Sequence, residues 1–369
     1  MLMEHPIEGL PRGYSLAAHP TLLRLGDLCA WPERLALAPW TRQIPIDRPI
    51  FVVGAFRSGT TALEQILSSH PQVGVFWFFT NAVYRTPATG YYFLRLMRRL
   101  GVLDTRQLPY LHNPRLGLTP FSAFECEWVW AQAGKNLWDP DCTDLTADAA
   151  FSNPVFERLL RSSIQRHLLV QGARRFLNKN PIHLLRLEYL HKLFPDARFI
   201  YILRDPLATV LSHYRMVQRI AATIHPHLQA RQAIDGGLHL DVLTPRIKTQ
   251  QYAETLALAQ IHPLLGIAHQ WRMMHITALA SLQRSPALAR QTVIITYEEL
   301  TRTPQAVLDQ LWRFVDLDDV AAASITAHAA GELQPPPATA PTPEETKWLA
   351  AVADIVAPAA EHFGYTRSQ

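Results

Sequence analysis

The sequence predicts an α/β protein: a central parallel β-sheet flanked by helices, with a mainly helical insertion and further helices at the C-terminus. Three observations carry that reading. Continuous apolar runs at Ile50–Val53, Arg198–Leu203 and Thr292–Thr296 are bounded by turn residues, as expected of strands buried on both faces. A helical periodicity follows nearly every such run. The 369-residue chain is 48% hydrophobic and 18% charged, enough apolar material for a substantial core.

The elements follow in order. Residues 1–47 are Pro-rich and irregular, an N-terminal extension with a short helix over 21–29. Residues 48–369 form a single domain. Its first strand, Ile50–Val53, leads through a Gly-containing loop into a helix over 60–69, with Leu63, Ile66 and Leu67 at helical spacing. Pro71 ends it, and the apolar stretch 73–79 forms a second strand. Residues 80–150 are an insertion that shapes an acceptor pocket: part-helical over 85–99, loop over 101–122, helical over 124–133. A helix opens on Pro154. A strand over 175–177, a helix over 181–194, and a strand over Arg198–Leu203 come next. Asp205 and Pro206 cap a helix reaching about residue 218. Residues 221–250, with His, Gly and Pro, read as a loop. One or two helices cover 253–283, Thr292–Thr296 is a strand, and Pro304 opens a helix to Phe314. Residues 334–343 are Pro-rich and extended, and a last helix covers 343–356.

Composition narrows the function. The net charge of +4 comes without any long Lys/Arg run, so nucleic acid is not an expected partner. Cys29, Cys126 and Cys142 form no CxxC pair and no zinc spacing, and no metal site is expected. Such sparse thiols suit a reducing compartment. The start of the chain has no apolar signal core. The most apolar long stretch, 255–271, is broken by His262, Pro263 and His269 and is too short to cross a bilayer. A cytoplasmic monomer or homodimer is expected, with peripheral contact to a membrane left open.

The chemistry concentrates in two segments. The first is Gly54-Ala55-Phe56-Arg57-Ser58-Gly59-Thr60-Thr61 between a strand and a helix. Its glycines allow a tight turn, and its exposed N–H groups, together with the helix N-terminus, bind phosphate-like oxyanions. The spacing is that of a Walker A loop, but Thr60 stands where the Lys of ATP and GTP enzymes belongs. The cation sits inside the loop, at Arg57. The second segment places Arg204 at the end of the strand Arg198–Leu203, with Ser212 about two turns into the next helix. Ligands of open α/β sheets collect at that edge. Taken alone, Arg204 reads as a surface partner of Asp205 or Glu188.

Together these segments resemble the two nucleotide-binding segments of the sulfotransferase family, in order and in separation. The likeness extends over most of residues 49–318. It is nearer the bacterial and Golgi-type branches, because the loop cation lies within Arg57-Ser58-Gly59-Thr60-Thr61. The resemblance implies a P-loop-like sulfotransferase fold and PAPS (3′-phosphoadenosine 5′-phosphosulfate) as co-substrate, with PAP released. It implies that Arg57, Ser58, Gly59, Thr60 and Thr61 hold the 5′-phosphosulfate and that Arg204 and Ser212 hold the 3′-phosphate. Tyr297 lies near the adenine or is a core aromatic at a strand end. Lys179 joins Arg57 as a charge-stabilising residue, or is a solvated Lys at a helix start.

The general base does not follow from the family pattern. Pro181 stands where cytosolic members place a His, and 75–79 is apolar where some Golgi members place a Glu. Glu125 is the first choice, since a carboxylate among aromatic side chains can have a raised pKa. Glu127, His183, His70 and His112 remain candidates; Glu127 also reads as an Arg partner, His70 as a helix-end residue bonding terminal carbonyls, and His183 as packing beside the strand end. The aromatic residues at 76–79, Tyr84, 91–93, Trp128 and Trp130 offer faces to a hydroxyl-bearing small molecule, glycan or lipid, or form core. Arg95, Arg98 and Arg99 form a basic helix face, solvated or facing an anionic acceptor or membrane. The competing readings are a non-catalytic PAP(S)-binding module and a P-loop kinase.

Overall fold

Alternation along β1 (Ile50–Val53) sets the architecture. All four side chains are buried. Phe51 and Val53 pack into one apolar cluster with Phe76, Phe176, Phe199 and Tyr201. Ile50 and Val52 pack into a second, with Leu63, Ile200, Leu308 and Leu311. A sheet buried on both faces needs helices on both faces, and the connections supply them.

The computed structural model describes residues 20–83, 85–101, 108–110, 113–130, 152–228, 250–335 and 340–365. Its main sheet has five strands in the order β2-β5-β1-β6-β7. The others are β2 (Val73–Val75), β5 (Arg175–Lys179), β6 (Arg198–Leu203) and β7 (Thr292–Thr296). Every pairing is parallel, and the register sets Val52 beside both Lys179 and Ile200. The carboxyl ends of β1, β5, β6 and β7 therefore open at one edge.

The main helices are α1 (Pro20–Thr41), α2 (Thr60–Ser68), α3 (Pro87–Arg99), α4 (Pro154–Gln171), α5 (Pro206–Leu228), α6 (Gln250–Ile261), α7 (Pro263–Arg284), α8 (Pro304–Phe314), α9 (Val320–Glu332) and α10 (Pro343–Ala360). A third apolar cluster joins Val210 of α5, Leu264 and Trp271 of α7, and Val352 and Val356 of α10.

Several boundaries differ from the sequence reading. α1 runs through Pro32 and Pro39 to Thr41 rather than stopping near residue 29. Tertiary contacts hold it: Glu33 is buried in an ion pair with Arg166, 2.8 Å away. β2 ends at Val75, and the chain then turns, with Trp77 forming a lone bridge to Ala123. The expected loop 101–122 contains an antiparallel hairpin, β3 (Leu108–Tyr110) against β4 (Asn113–Leu118). In the insertion, helices form at α3, Thr80–Val83 and Glu127–Trp130. The expected helix over 181–194 is a 3₁₀ turn, Pro181–Leu185, and a separate helix, Leu187–Leu193; Arg186 between them has φ −112°. The Asn180 side chain accepts from Ile182 N at 2.9 Å and starts the turn. α5 extends ten residues beyond the expected end, through 221–228. The loop expected over 229–249, the Pro-rich residues 336–339, and Tyr84, His112 and Cys142 lie outside the described residues, as do the Glu127 and Trp128 side chains.

Candidate active site

β1 delivers the chain into the loop at Gly54. A Cβ there would lie 2.5 Å from the carbonyl oxygen of Ile202, so only glycine lets β1 leave this close to β6. Ser58 N then donates to Ala55 O at 3.2 Å and closes a turn. Arg57 (φ 71°) and Gly59 (φ 92°) both adopt the left-handed region. Left-handed residues in a tight turn gather successive N–H groups into an anion-binding concavity. α2 begins at Thr60, adding the positive end of its dipole. Ser58 is fully buried, and its Oγ has no hydrogen-bond partner. A buried hydroxyl left unmatched in such a loop is what a bound oxyanion would satisfy. Thr60 is buried and Thr61 is half-buried on the first turn of α2.

The second segment closes on the first. Arg57 Nε donates to Ser212 Oγ on α5 at 3.1 Å. Arg204, at the end of β6, donates through Nη1 to the Arg57 carbonyl at 3.0 Å. Its guanidinium also lies over the Tyr297 ring, 4.8 Å from the centroid. That ring packs on Gly59, where an added Cβ would meet it at 2.4 Å. Arg204 is thus not the surface partner of Asp205 or Glu188. Asp205 caps α5, accepting from Ala208 N at 2.7 Å, and Glu188 pairs with Arg284 at 2.5 Å. Tyr297 is a wall shared by Gly59 and Arg204, and it also packs against the apolar cluster of Ile50 and Val52 at the end of β7.

At the end of β5, Lys179 is almost wholly buried, not solvated. Its Nζ donates to Glu125 Oε1 at 2.5 Å and lies 3.7 Å from Glu64 Oε2. Asn178 holds the segment that carries Glu125. Its Oδ1 accepts from Trp130 Nε1 at 3.2 Å and from His183 Nε2 at 2.8 Å. Burial, with Arg186 and Lys179 nearby, drives the His183 pKa well below its usual value, so the ring is neutral and braces Asn178. His70 is a buried ring bonded to Asp319 at 3.0 Å, not to helix-end carbonyls.

Glu64 is the site residue that sequence reasoning missed. It lies on α2, wholly buried, and its Oε1 has no partner. Burial pushes its pKa up to about 7; Lys179 opposes the rise and Glu125 adds to it. The signal was present: Thr60, Leu63, Glu64 and Leu67 are the buried face of α2. The spacing i, i+3, i+4, i+7 marks position 64 as interior, and a carboxylate there calls for a cation.

A parallel sheet whose phosphate loop, two arginines and a buried Lys–carboxylate cluster meet at its carboxyl edge defines a class of group-transfer protein. Residues 49–235 match the profile of the Sulfotransferase family, and the chain belongs to that family. Over 178 residues it is 29% identical to the omega-hydroxy-beta-dihydromenaquinone-9 sulfotransferase Stf3 of Mycobacterium bovis, covering 43% of this chain and 42% of that one. Over 283 residues it is 26% identical to protein-tyrosine sulfotransferase 2 of Gallus gallus, covering 75% of this chain and 60% of the relative. The chain thus spans only about two-fifths of the first of these relatives. The sulfotransferase STF9 of Mycobacterium avium shares the fold with TM-score 0.59 at 16% identity, over 96% of this chain and 90% of that one.

Proposed function

We propose that the chain is a PAPS-dependent sulfotransferase, moving a sulfuryl group to a hydroxyl of a small-molecule, carbohydrate or lipid acceptor and releasing PAP. One observation carries this reading. Arg57, Ser212 and Arg204 form a bonded chain around the phosphate loop, and the Lys179–Glu125 pair stands at the neighbouring strand end. The names of two relatives, one for a hydroxylated menaquinone and one for protein tyrosine, agree with a hydroxyl acceptor.

PAPS, when bound, presents an activated sulfuryl group on its 5′-phosphate. Ser58, Gly59, Thr60 and Thr61 hold the phosphosulfate through hydroxyls and N–H groups. Arg204 and Ser212 hold the 3′-phosphate, and Tyr297 lies beside the adenine. Glu125, half-buried, faces the acceptor and takes its proton as the new S–O bond forms. Arg57 and the Lys179 ammonium stabilise the charge gathering on the oxygens as the old bond to the phosphate breaks. Glu64 holds Lys179 from behind and is a positioning residue.

The test is transfer of labelled sulfate from PAPS to a panel of phenols, sugars and lipid alcohols. The Lys179→Ala variant should lose turnover by about 10²–10³-fold, and Glu125→Gln by about 10²–10⁴-fold. Both should keep near-normal PAP affinity. Equal losses in turnover and PAP binding would contradict these roles.

A further inference from the structure

We propose that α3 docks this protein on the surface of an anionic lipid bilayer. This rests on the outer face of the insertion and is independent of the reading of the active site. The buried side of α3 is locked: an added Cβ on Gly90 would meet the Phe79 ring at 2.4 Å. Its N-terminus is pinned by Glu33, whose carboxylate accepts from Ala88 N at 3.3 Å and Thr89 N at 2.6 Å. With that side fixed, the opposite side must face outward. There Tyr92, Phe93, Leu96 and Leu100 are all more than half exposed. Their spacing makes one stripe along the helix.

Charge selects the occupant. Arg95, Arg98 and Arg99 are exposed beside the stripe. Residues 87–100 contain no acidic side chain. An outward apolar stripe with aromatic and Leu side chains, flanked by arginines, is the pattern of a helix lying in a membrane interface. The neighbouring α1 has the same character. Leu28, Trp31 and Leu35 are exposed on its outer side, Arg34 is exposed beside them, and Glu33, the single acid from 28 to 42, is buried. A second copy fits less well, because a two-fold contact through this face sets arginines against arginines. No helix among the described residues is long and apolar enough to cross a membrane, so the contact is interfacial. The docked face adjoins the aromatic zone of the insertion, since Tyr91 of α3 stacks on Trp77 with centroids 5.1 Å apart.

The experiment is co-sedimentation of the full chain with phosphatidylglycerol-containing vesicles and with pure phosphatidylcholine vesicles. Wild type should bind the anionic vesicles, and added salt should weaken binding. Two variants separate the contributions: Phe93→Asp with Leu96→Asp, and Arg95→Gln with Arg98→Gln and Arg99→Gln. Each should cut vesicle affinity by about tenfold or more. Circular dichroism and PAP affinity should be unchanged in both. Failure of the wild type to bind anionic vesicles would overturn the proposal. So would variants that bind as well as wild type, or a dimer in analytical ultracentrifugation that the variants abolish while vesicle binding is absent.

Discussion

Glu64 shows how much a single buried carboxyl can organise. Its proton is held up to about 7, against an ordinary 4.5, because burial penalises the charge. Between those values the folded chain binds more protons at this position than the unfolded one. The stabilising contribution is therefore full below about 4.5 and is lost as pH rises to about 7, at roughly 1.4 kcal/mol per unit. Glu64→Gln should flatten that slope in urea titrations run across this window; an unchanged slope would contradict the burial of a titrating carboxyl. Because Glu64 sits behind Lys179, turnover of the wild type should also show an inflection near 7 that the variant lacks, with PAP affinity preserved. Arg204 makes a sharper case. Removing a charged donor to a phosphate costs about 1.5–3 kcal/mol. Calorimetry on Arg204→Ala should accordingly find PAP binding weakened about ten- to a hundredfold. An unaltered affinity would remove Arg204 from the site. Arg57→Ala should lose transfer, since Arg57 is the cation within the loop.

At the scale of elements, the strand–loop–helix unit β1–α2 does the positioning. Gly59→Ala would force a Cβ into the Tyr297 ring at φ 92°. The expected cost is about 1–3 kcal/mol of stability with a displaced Tyr297, measurable by denaturation and tyrosine fluorescence. A variant as stable as wild type would contradict the close approach. Glu33 is the matching device on the far side. Glu33→Ala leaves the buried Arg166 charge without its carboxylate and should cost about 3–5 kcal/mol in denaturation. β1 and β6 were legible because parallel strands buried on both faces read as continuous apolar runs, whereas β5 ends in Asn178 and Lys179 and was legible only over 175–177. α4, α8 and the start of α5 were legible because Pro or Asp marks where each opens. The hairpin over 108–118 was not, since its Pro and Gly residues read as loop. The full length of α1 is not legible in the sequence, because its prolines argue locally against helix, while Glu33 and Arg166 act across 133 residues of sequence. α9 went unread because its run of Ala carries little apolar contrast between faces.

At the scale of the whole molecule, the sheet order brings together residues far apart in sequence. Gly54 to Thr61, Lys179, Arg204 and Tyr297 stand at the carboxyl ends of four different strands and meet at one edge. Both anchors were readable because each is a local motif after an apolar run. The buried cluster was only half readable. Lys179 and Glu125 stood out singly, but their contact, and the place of Glu64 beside them, depend on the pairing of β1 with β5 and on α2 packing over it. No spacing in the sequence encodes that. Neither did it show Arg204 turning toward the Arg57 carbonyl rather than toward a neighbouring acid.

The most direct test is calorimetric titration of the purified chain with PAP in the absence of magnesium, with ATP and magnesium as the comparison. Micromolar PAP binding and little ATP binding are expected, because the loop carries Arg57 and lacks the Walker A lysine. Magnesium-dependent ATP binding with no PAP signal would contradict the sulfotransferase reading.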